Sequence, residues 1–197
     1  KGTPYVFLSN RAASISVAAQ STSGFTAIAF YNDQLGIGQI FRCRVAGSVI
    51  EGLGTTVFTP SGAYGATPKV VYNPLSDLCV VAYTAQDNYK GRAKAFSMVG
   101  MSGNGSITFG AEVEFVNGGS FRTGGFDACN DPTDERIWLY YQSNSNGNQI
   151  YVQQITINTT GPSLQVGNRV SVLNGNFEGS NSPFRIVIDE KAKKIVC

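Results

Sequence analysis

Short apolar runs separated by Gly, Pro, Asn and Asp follow one another along the whole chain. Some runs are continuously apolar, as at residues 78–83, and others alternate apolar and polar positions, as at residues 149–157. A continuous run of β-branched and aromatic residues indicates a strand buried on both faces, whereas alternation indicates a strand with one wet face. No stretch keeps the 3.6-residue period of an amphipathic helix. The pattern predicts an all-β chain.

The runs recur in a fixed order, which we label strands A to D. Strand A is predicted at residues 15–19, 69–72, 125–129 and 184–188, strand B at 25–31, 78–83, 137–141 and 194–197, and strand C at 39–45, 92–99 and 149–157. Between A and B stand Asn73-Pro74 and Asp131-Pro132. Asn or Asp there accepts a local backbone hydrogen bond and Pro presets φ, so an A–B hairpin is predicted.

Strand D is predicted from a glycine-led motif that recurs in the chain. Its copies are Gly54-Thr-Thr-Val57-Phe58, Gly110-Ala-Glu-Val113-Glu-Phe115 and Gly167-Asn-Arg-Val170-Ser-Val172, and a further copy, Gly2-Thr-Pro-Tyr5-Val6-Phe7, opens the chain. The copies begin 52, 56 and 57 residues apart. A fixed spacing in this range is typical of a repeated supersecondary unit.

Four antiparallel strands per unit predict a β-propeller of blades of about 52–58 residues, with about three complete blades and partial ones. The units are strand D of a preceding blade at residues 1–10, blades at 15–62, 66–118 and 123–175, and a half-blade at 180–197, together one array over 1–197. The WD40, Kelch and Asp-box patterns are not met. The chain begins with Lys and stops inside an apolar strand, so we expect a segment of a longer polypeptide.

Composition narrows the function classes. Charged residues are 14% of the chain, the net charge is +2, and Lys and Arg are scattered except at residues 191–194, so a nucleic-acid surface is not expected. Histidine is absent, which excludes imidazole catalysis and His-ligated metals. No apolar run approaches the roughly 18 residues of a membrane span. We expect neither a cofactor nor membrane insertion.

The four cysteines, Cys43, Cys79, Cys129 and Cys197, lie far apart in apolar or alternating runs. None has the spacing of a metal site. Three disulfide pairings are possible, but the positions in strands favour buried free thiols.

The second unit resembles a known repeat. Val70-Val-Tyr-Asn-Pro, Cys79-Val-Val-Ala-Tyr83, Gly91-Arg-Ala-Lys-Ala-Phe96, Gly105-Ser-Ile-Thr-Phe-Gly110 and Val113-x-Phe115 are similar to repeats in large virion surface proteins of tailed phages, especially those infecting marine bacteria and cyanobacteria. The resemblance covers almost the whole chain and is strongest over residues 66–119. In the next unit, Trp138 and Tyr140 depart from it. It implies a particle-surface or host-recognition role and no catalytic residue.

Candidate ligand residues lie in the B–C and D–A loops, which would share one face of a propeller. They are Asn32, Asp33, Gln86, Asp87, Asn88, Tyr89, Arg122, Asn144, Asn146 and Glu178. Amide and carboxylate groups can satisfy sugar hydroxyls while an aromatic ring stacks on the sugar, but the same residue types also form ordinary turns. Asp77, Asp131, Asp134 and Asp189 belong to A–B turns on the opposite face and are interpreted as turn formers.

The leading hypothesis is a non-enzymatic virion surface protein, as a tail fibre, an appendage or a capsid-attached knob. Its partners would be other virion proteins, copies of itself, and host surface glycan or protein. One alternative is a polysaccharide-cleaving enzyme using Asp33, Asp87 or Glu178, which needs two carboxylates about 5 Å or about 6.5–9.5 Å apart. A second alternative is a secreted bacterial lectin or adhesin.

Overall fold

The computed structural model describes residues 5–8, 11–20, 23–59, 66–85, 89–98, 107–116, 121–143, 149–158, 160–173, 185–192 and 194–197, with the backbone alone at 121–125 and 173. The strands are β1 Ala12–Ala19, β2 Phe25–Asn32, β3 Ile37–Ala46, β4 Val49–Val57, β5 Ala66–Asn73, β6 Leu78–Ala85, β7 Lys90–Phe96, β8 Val113–Val116, β9 Phe121–Asn130, β10 Arg136–Ser143, β11 Gln149–Asn158, β12 Ser163–Leu173, β13 Val187–Asp189 and β14 Lys194–Val196.

The strands form three four-stranded sheets, β1–β4, β5–β8 and β9–β12, and a two-stranded hairpin, β13–β14. Every sheet is antiparallel and its neighbouring strands are consecutive in the chain. The all-β prediction is confirmed. The described residues contain no helix, and therefore none that could cross a membrane.

The fourth strands depart from the prediction that they begin at the motif glycine. β4 and β12 start well before Gly54 and Gly167, which lie inside the strands at shifts of the ladder register. Gly54 has φ of +108°, which favours glycine. The glycine therefore serves a β-bulge rather than a strand start in these two sheets.

The predicted A–B turn chemistry is confirmed. The Asn73 side-chain oxygen accepts hydrogen bonds from the backbone N–H groups of Leu75 and Ser76, both at 3.0 Å. Asp131 and Asp189 likewise accept backbone N–H bonds two residues further along the chain. Each side chain therefore replaces hydrogen bonds that the turn backbone could not make with the sheet.

The sheets pack face to face in chain order. In β6, Cys79, Val81 and Tyr83 lie in the core shared with the first sheet, and Val80 and Ala82 lie in the core shared with the third. The third sheet in turn shares a core with the terminal hairpin. Both faces of β6 are buried, which explains its continuous apolar run.

Residues 5–8 cover the remaining face of the first sheet. Phe7 and Leu8 pack beside Phe30 and Phe41, on the face of β2 opposite to the second sheet. Of the strand predicted at residues 1–10, this described part forms no ladder with another strand. Its apolar side chains nevertheless cover one face of the first sheet. In each later sheet the corresponding face packs against the preceding sheet.

The aromatic residue of the repeated motif packs against strand B of the next element in the stack. The ring centroids of Phe7 and Phe30 are 5.5 Å apart, those of Phe58 and Tyr83 are 5.0 Å apart, and those of Phe115 and Tyr141 are 5.8 Å apart. Such tilted pairs stabilise beyond the area they bury. We call these three contacts the aromatic clasp.

Asn73 also joins the turns of two sheets, and its loss should be costly. Its side-chain N–H group donates to the carbonyl oxygens of Asp131, Asp134 and Arg136, with the shortest distance 2.8 Å to Asp134, and the residue is fully buried. Asn73→Asp keeps the turn oxygen but removes these donors. We expect it to lower the free energy of unfolding by about 1–3 kcal/mol in urea titrations. An unchanged midpoint would contradict this link between sheets.

Candidate binding cleft

Three of the loop residues predicted to meet a ligand are described with their side chains. Asn32 is buried, accepts the Leu35 N–H at 3.2 Å and donates to the Gln39 side chain at 2.9 Å, so it fixes the β2–β3 turn. Asp33 is paired with Arg11 at 3.3 Å. Tyr89 is 52% exposed with φ of +52°, and its ring is accessible to solvent.

The remaining predicted residues lie wholly or partly outside the described residues. Gln86, Asp87, Asn88, Asn144, Asn146 and Glu178 are outside them, and Arg122 is described only as backbone in β9. Of the three carboxylates predicted for an enzyme, Asp33, Asp87 and Glu178, the structure describes Asp33 alone. The carboxylate spacing that hydrolysis would need stays a prediction.

The A–B turns lie at the opposite end of the stack. The contact that each turn makes with the next sheet differs from one junction between successive sheets to another. Between the first two sheets, the Gln20 side-chain N–H group donates to the Asp77 carboxylate. Between the second and third sheets, Asn73 makes the equivalent link to backbone carbonyls. The next equivalent residue is Asp131, whose carboxylate instead accepts the Thr133 N–H at 3.0 Å and hydroxyl at 2.8 Å within its own turn.

A cleft of about 520 Å³ opens at this third junction, between the third sheet and the terminal hairpin. Its size falls in the range of about 300–1,000 Å³ that is typical of small-molecule sites. The lining residues are polar and charged around a few apolar ones: Asp131, Pro132, Thr133, Asp134, Arg136, Trp138, Ile188, Glu190, Lys194 and Ile195.

The charges of the cleft are partly paired with one another. Arg136 and Asp134 are 2.8 Å apart, and both side chains are about two-fifths exposed, so this ion pair adds little to stability. Partial burial raises the pKa of Asp131, but the Thr133 hydroxyl and N–H, the Trp138 indole and the Arg136 charge outweigh burial, and the pKa lies below its ordinary value. The Asp131 carboxylate is therefore a fixed, ionised acceptor at neutral pH.

Sequence reasoning missed this cleft because it interpreted Asp131 and Asp134 as turn formers only. Both do form turn bonds, with Thr133 and Glu135 respectively. The available signal was the departure of Trp138 from the repeat pattern, because a large indole replaces a small or aliphatic side chain at that position of strand B.

A second charged cluster lies on β7 and directly before β8 of the second sheet, and its members pair with one another. Glu112 is 3.1 Å from Arg92 and 3.3 Å from Lys94, and it accepts a hydrogen bond from the Tyr83 hydroxyl. Lys94 also donates to the Phe58 carbonyl at 2.8 Å, which ties the first sheet to the second. No group of three potential metal ligands occurs among the described residues.

All four cysteines are free thiols, but they are not all buried. Cys43 and Cys79 are buried, Cys129 is half-buried, and Cys197 is exposed, so the prediction of buried thiols is wrong for Cys197. Cys197 directly follows β14, and among the described strands β14 pairs with β13 alone. Burial raises the pKa of Cys79, and burial with the nearby charges of Asp127, Cys197 and Asp131 raises the pKa of Cys129 to about 12.

These environments predict an order of thiol reactivity. In the folded protein at pH 8, iodoacetamide should modify Cys197 first and Cys79 last, because only an accessible thiolate reacts. Mass spectrometry of peptides after timed alkylation measures the order, and alkylation in urea provides the fully reactive reference. Modification of Cys79 as fast as Cys197 in the folded protein would contradict the burial of β6.

Comparisons with known proteins include a distant structural likeness. No protein-family model matches the chain, and a comparison with curated proteins gives no match. Among solved structures, TolB from Acinetobacter baumannii aligns with a TM-score of 0.44 and 14% identity over 94% of this chain. The chain spans 37% of the TolB chain.

Proposed function

We propose that this chain forms part of a β-propeller that serves as a non-enzymatic structural and attachment module on a virion surface. One observation supports the propeller: successive sheets contact one another through their first strands, β1 with β5, β5 with β9 and β9 with β13. In a propeller the blades stand around a central channel. Sheets that meet at the first strand and stack in one direction fit such an arrangement.

The first strands also share a cleft that fits the inner channel of a propeller. It measures about 430 Å³ and lies between β1, β5 and β9, lined by Val17, Ala18, Ala19, Val70, Val71, Tyr72, Pro74, Ala128, Cys129 and Asn130. Hydrogen bonds cross between the first strands beside it. The Val70 N–H donates to the Ser16 hydroxyl at 3.0 Å, and Lys69 pairs with Asp127 at 3.2 Å.

The attachment role is supported by the sequence resemblance to phage surface repeats and by the form of the stack. Cores on both faces of each full sheet make a rigid unit, and its turns and loops project at the two ends. A virion carries surface proteins in many copies, so weak contacts per copy add to strong attachment through effective concentration.

Labelling of purified particles tests this proposal. Antibodies raised against the protein should decorate intact virions in electron micrographs, and the antibody fragments should slow adsorption to host cells. Particles without the polypeptide in mass spectra would refute the virion role. Decorated particles that adsorb at the normal rate with saturating fragments would refute the attachment role.

A further inference from the structure

We infer that the cleft between the third sheet and the terminal hairpin is a saccharide-binding site built from Trp138, Asp131, Arg136 and the facing hairpin residues Glu190 and Lys194. The choice of a host surface saccharide rests on the proposed attachment function. The existence of a binding site at this junction rests on the internal comparison between the repeats.

The ladder register identifies the equivalent positions in the three sheets. Backbone bonds pair Gln20 with Phe25 in the first sheet and Asp131 with Arg136 in the third, as Asn73 pairs with Leu78 in the second. Two residues further along strand B, Trp138 lies opposite Cys129, where Val80 lies opposite Val71 and Ala27 opposite Ala18.

Three departures from the repeat therefore converge on one place. An amide becomes the carboxylate of Asp131, an apolar residue becomes Arg136, and a small apolar residue becomes Trp138. The side-chain amides of Gln20 and Asn73 donate across the first two junctions, whereas the Asp131 side chain has no N–H group to donate. The cleft of about 520 Å³ lies at the junction where the described residues make no such amide link.

The lining suits a polyhydroxylated ligand better than a simple ion. The carboxylates of Asp131, Asp134 and Glu190 can accept hydrogen bonds from sugar hydroxyl groups, and Arg136 and Lys194 can donate to ring and hydroxyl oxygens. The indole of Trp138 offers a flat apolar surface. Three carboxylates disfavour a phosphate or other small anion, and two cations disfavour a metal ion. The Asp131 carboxylate is held in place by the Thr133 hydroxyl at 2.8 Å and the Thr133 N–H at 3.0 Å, so little ordering is needed on binding.

Trp138 provides a direct readout because it is the single tryptophan of the chain. The intrinsic fluorescence of the protein should change saturably when the binding saccharide is added from a panel of neutral hexoses, N-acetylhexosamines, uronic acids and purified host surface polysaccharide. Asp131→Asn retains the fluorophore and places at this position the residue found at Asn73, so the fold tolerates it. We expect it to weaken binding about tenfold or more, since a hydrogen bond to a charged group is lost.

Glu51→Gln is the matched control, because Glu51 is an exposed residue of β4 in the first sheet and does not line the cleft. It should bind like the unaltered protein, and thermal unfolding should show that both variants are folded. No fluorescence change with any member of the panel, or equal binding by Asp131→Asn, would overturn the inference. A third variant, Asp33→Asn, tests the B–C loops: loss of binding in it with binding retained in Asp131→Asn would also overturn the inference.

The outcomes separate this inference from the proposed function. If the protein binds a saccharide through Asp131 but is missing from purified virions, the virion role is refuted and the binding site in the cleft is supported. A protein that decorates virions but shows no binding at Trp138 would refute the cleft and leave the attachment role to other loops.

Discussion

Phe58→Ala is expected to lower the free energy of unfolding by about 3–5 kcal/mol, a large fraction of the total stability of an ordinary domain. Phe58 is 1% exposed and fills the core between the first and second sheets, with its ring against Tyr83. Its backbone N–H donates to Gly38 at 3.0 Å, which holds the ring in position after β4 ends. Truncation would leave a cavity at the contact that joins the two sheets.

Urea unfolding followed by circular dichroism measures this effect, with Val57→Ala as the control. Val57 is the neighbouring residue and is 44% exposed, so its truncation should cost less than about 1 kcal/mol. Equal unfolding midpoints for the two variants would show that the ring at position 58 does not support the junction.

Gly91→Ala should destabilise the protein by about 1–3 kcal/mol through overpacking. A Cβ atom at Gly91 would lie 2.4 Å from the Phe115 ring, and at the equivalent Gly38 it would lie 2.3 Å from the Phe58 ring. These distances are far below van der Waals contact, so the aromatic clasp requires glycine in the third strand. The third sheet differs at both positions. Ile150, opposite Gln142, occupies the place that Gly91 has opposite Thr84. Val172 occupies the ladder bulge that corresponds to that of Phe115.

A double variant tests this explanation. In the third sheet the smaller side chain of Val172 leaves room for Ile150 at the position of Gly91. Adding Gly91→Ala to Phe115→Val should therefore cost less than about 0.5 kcal/mol beyond Phe115→Val alone. Gly161→Ala is the control, because a Cβ atom there meets nothing within 4 Å. Additive costs of the two changes would contradict a direct conflict between the methyl group and the ring. The same urea titrations give all four values.

Much of the strand order could be predicted because apolar patterning and turn chemistry act locally. The strand β11 and the Asn73-Pro74 turn each depend on residues close in sequence and form as predicted. The wet face predicted for β11 is wrong for its first half, because Ile150 and Val152 pack in the core shared with the hairpin while Tyr151 packs towards the second sheet. The starts of β4 and β12 were not predicted, since a glycine inside a bulge and a glycine before a strand look alike in sequence. The ladder with the preceding strand decides between them.

The cleft could not be predicted because it depends on which turns face one another. Asp131 and Asn73 have the same local role, and they differ only in what each presents to the next sheet. That difference needs the face-to-face stack, which brings Glu190 and Lys194 opposite Trp138. From the sequence, the candidate ligand residues are predicted in the B–C and D–A loops, and of these Asn32 is buried in its own turn.

The aromatic clasp joins successive sheets of the stack, and a double-mutant cycle between Phe58 and Tyr83 measures the contact between the first two. With leucine at each position, the cycle should give a coupling energy of about 0.5–1.5 kcal/mol, because the rings contact across the two sheets. The crossed cycle between Phe58 and Tyr141 joins residues two sheets apart and should be additive. A coupling energy of zero for Phe58 and Tyr83, or an equal coupling in both cycles, would contradict the stacked arrangement.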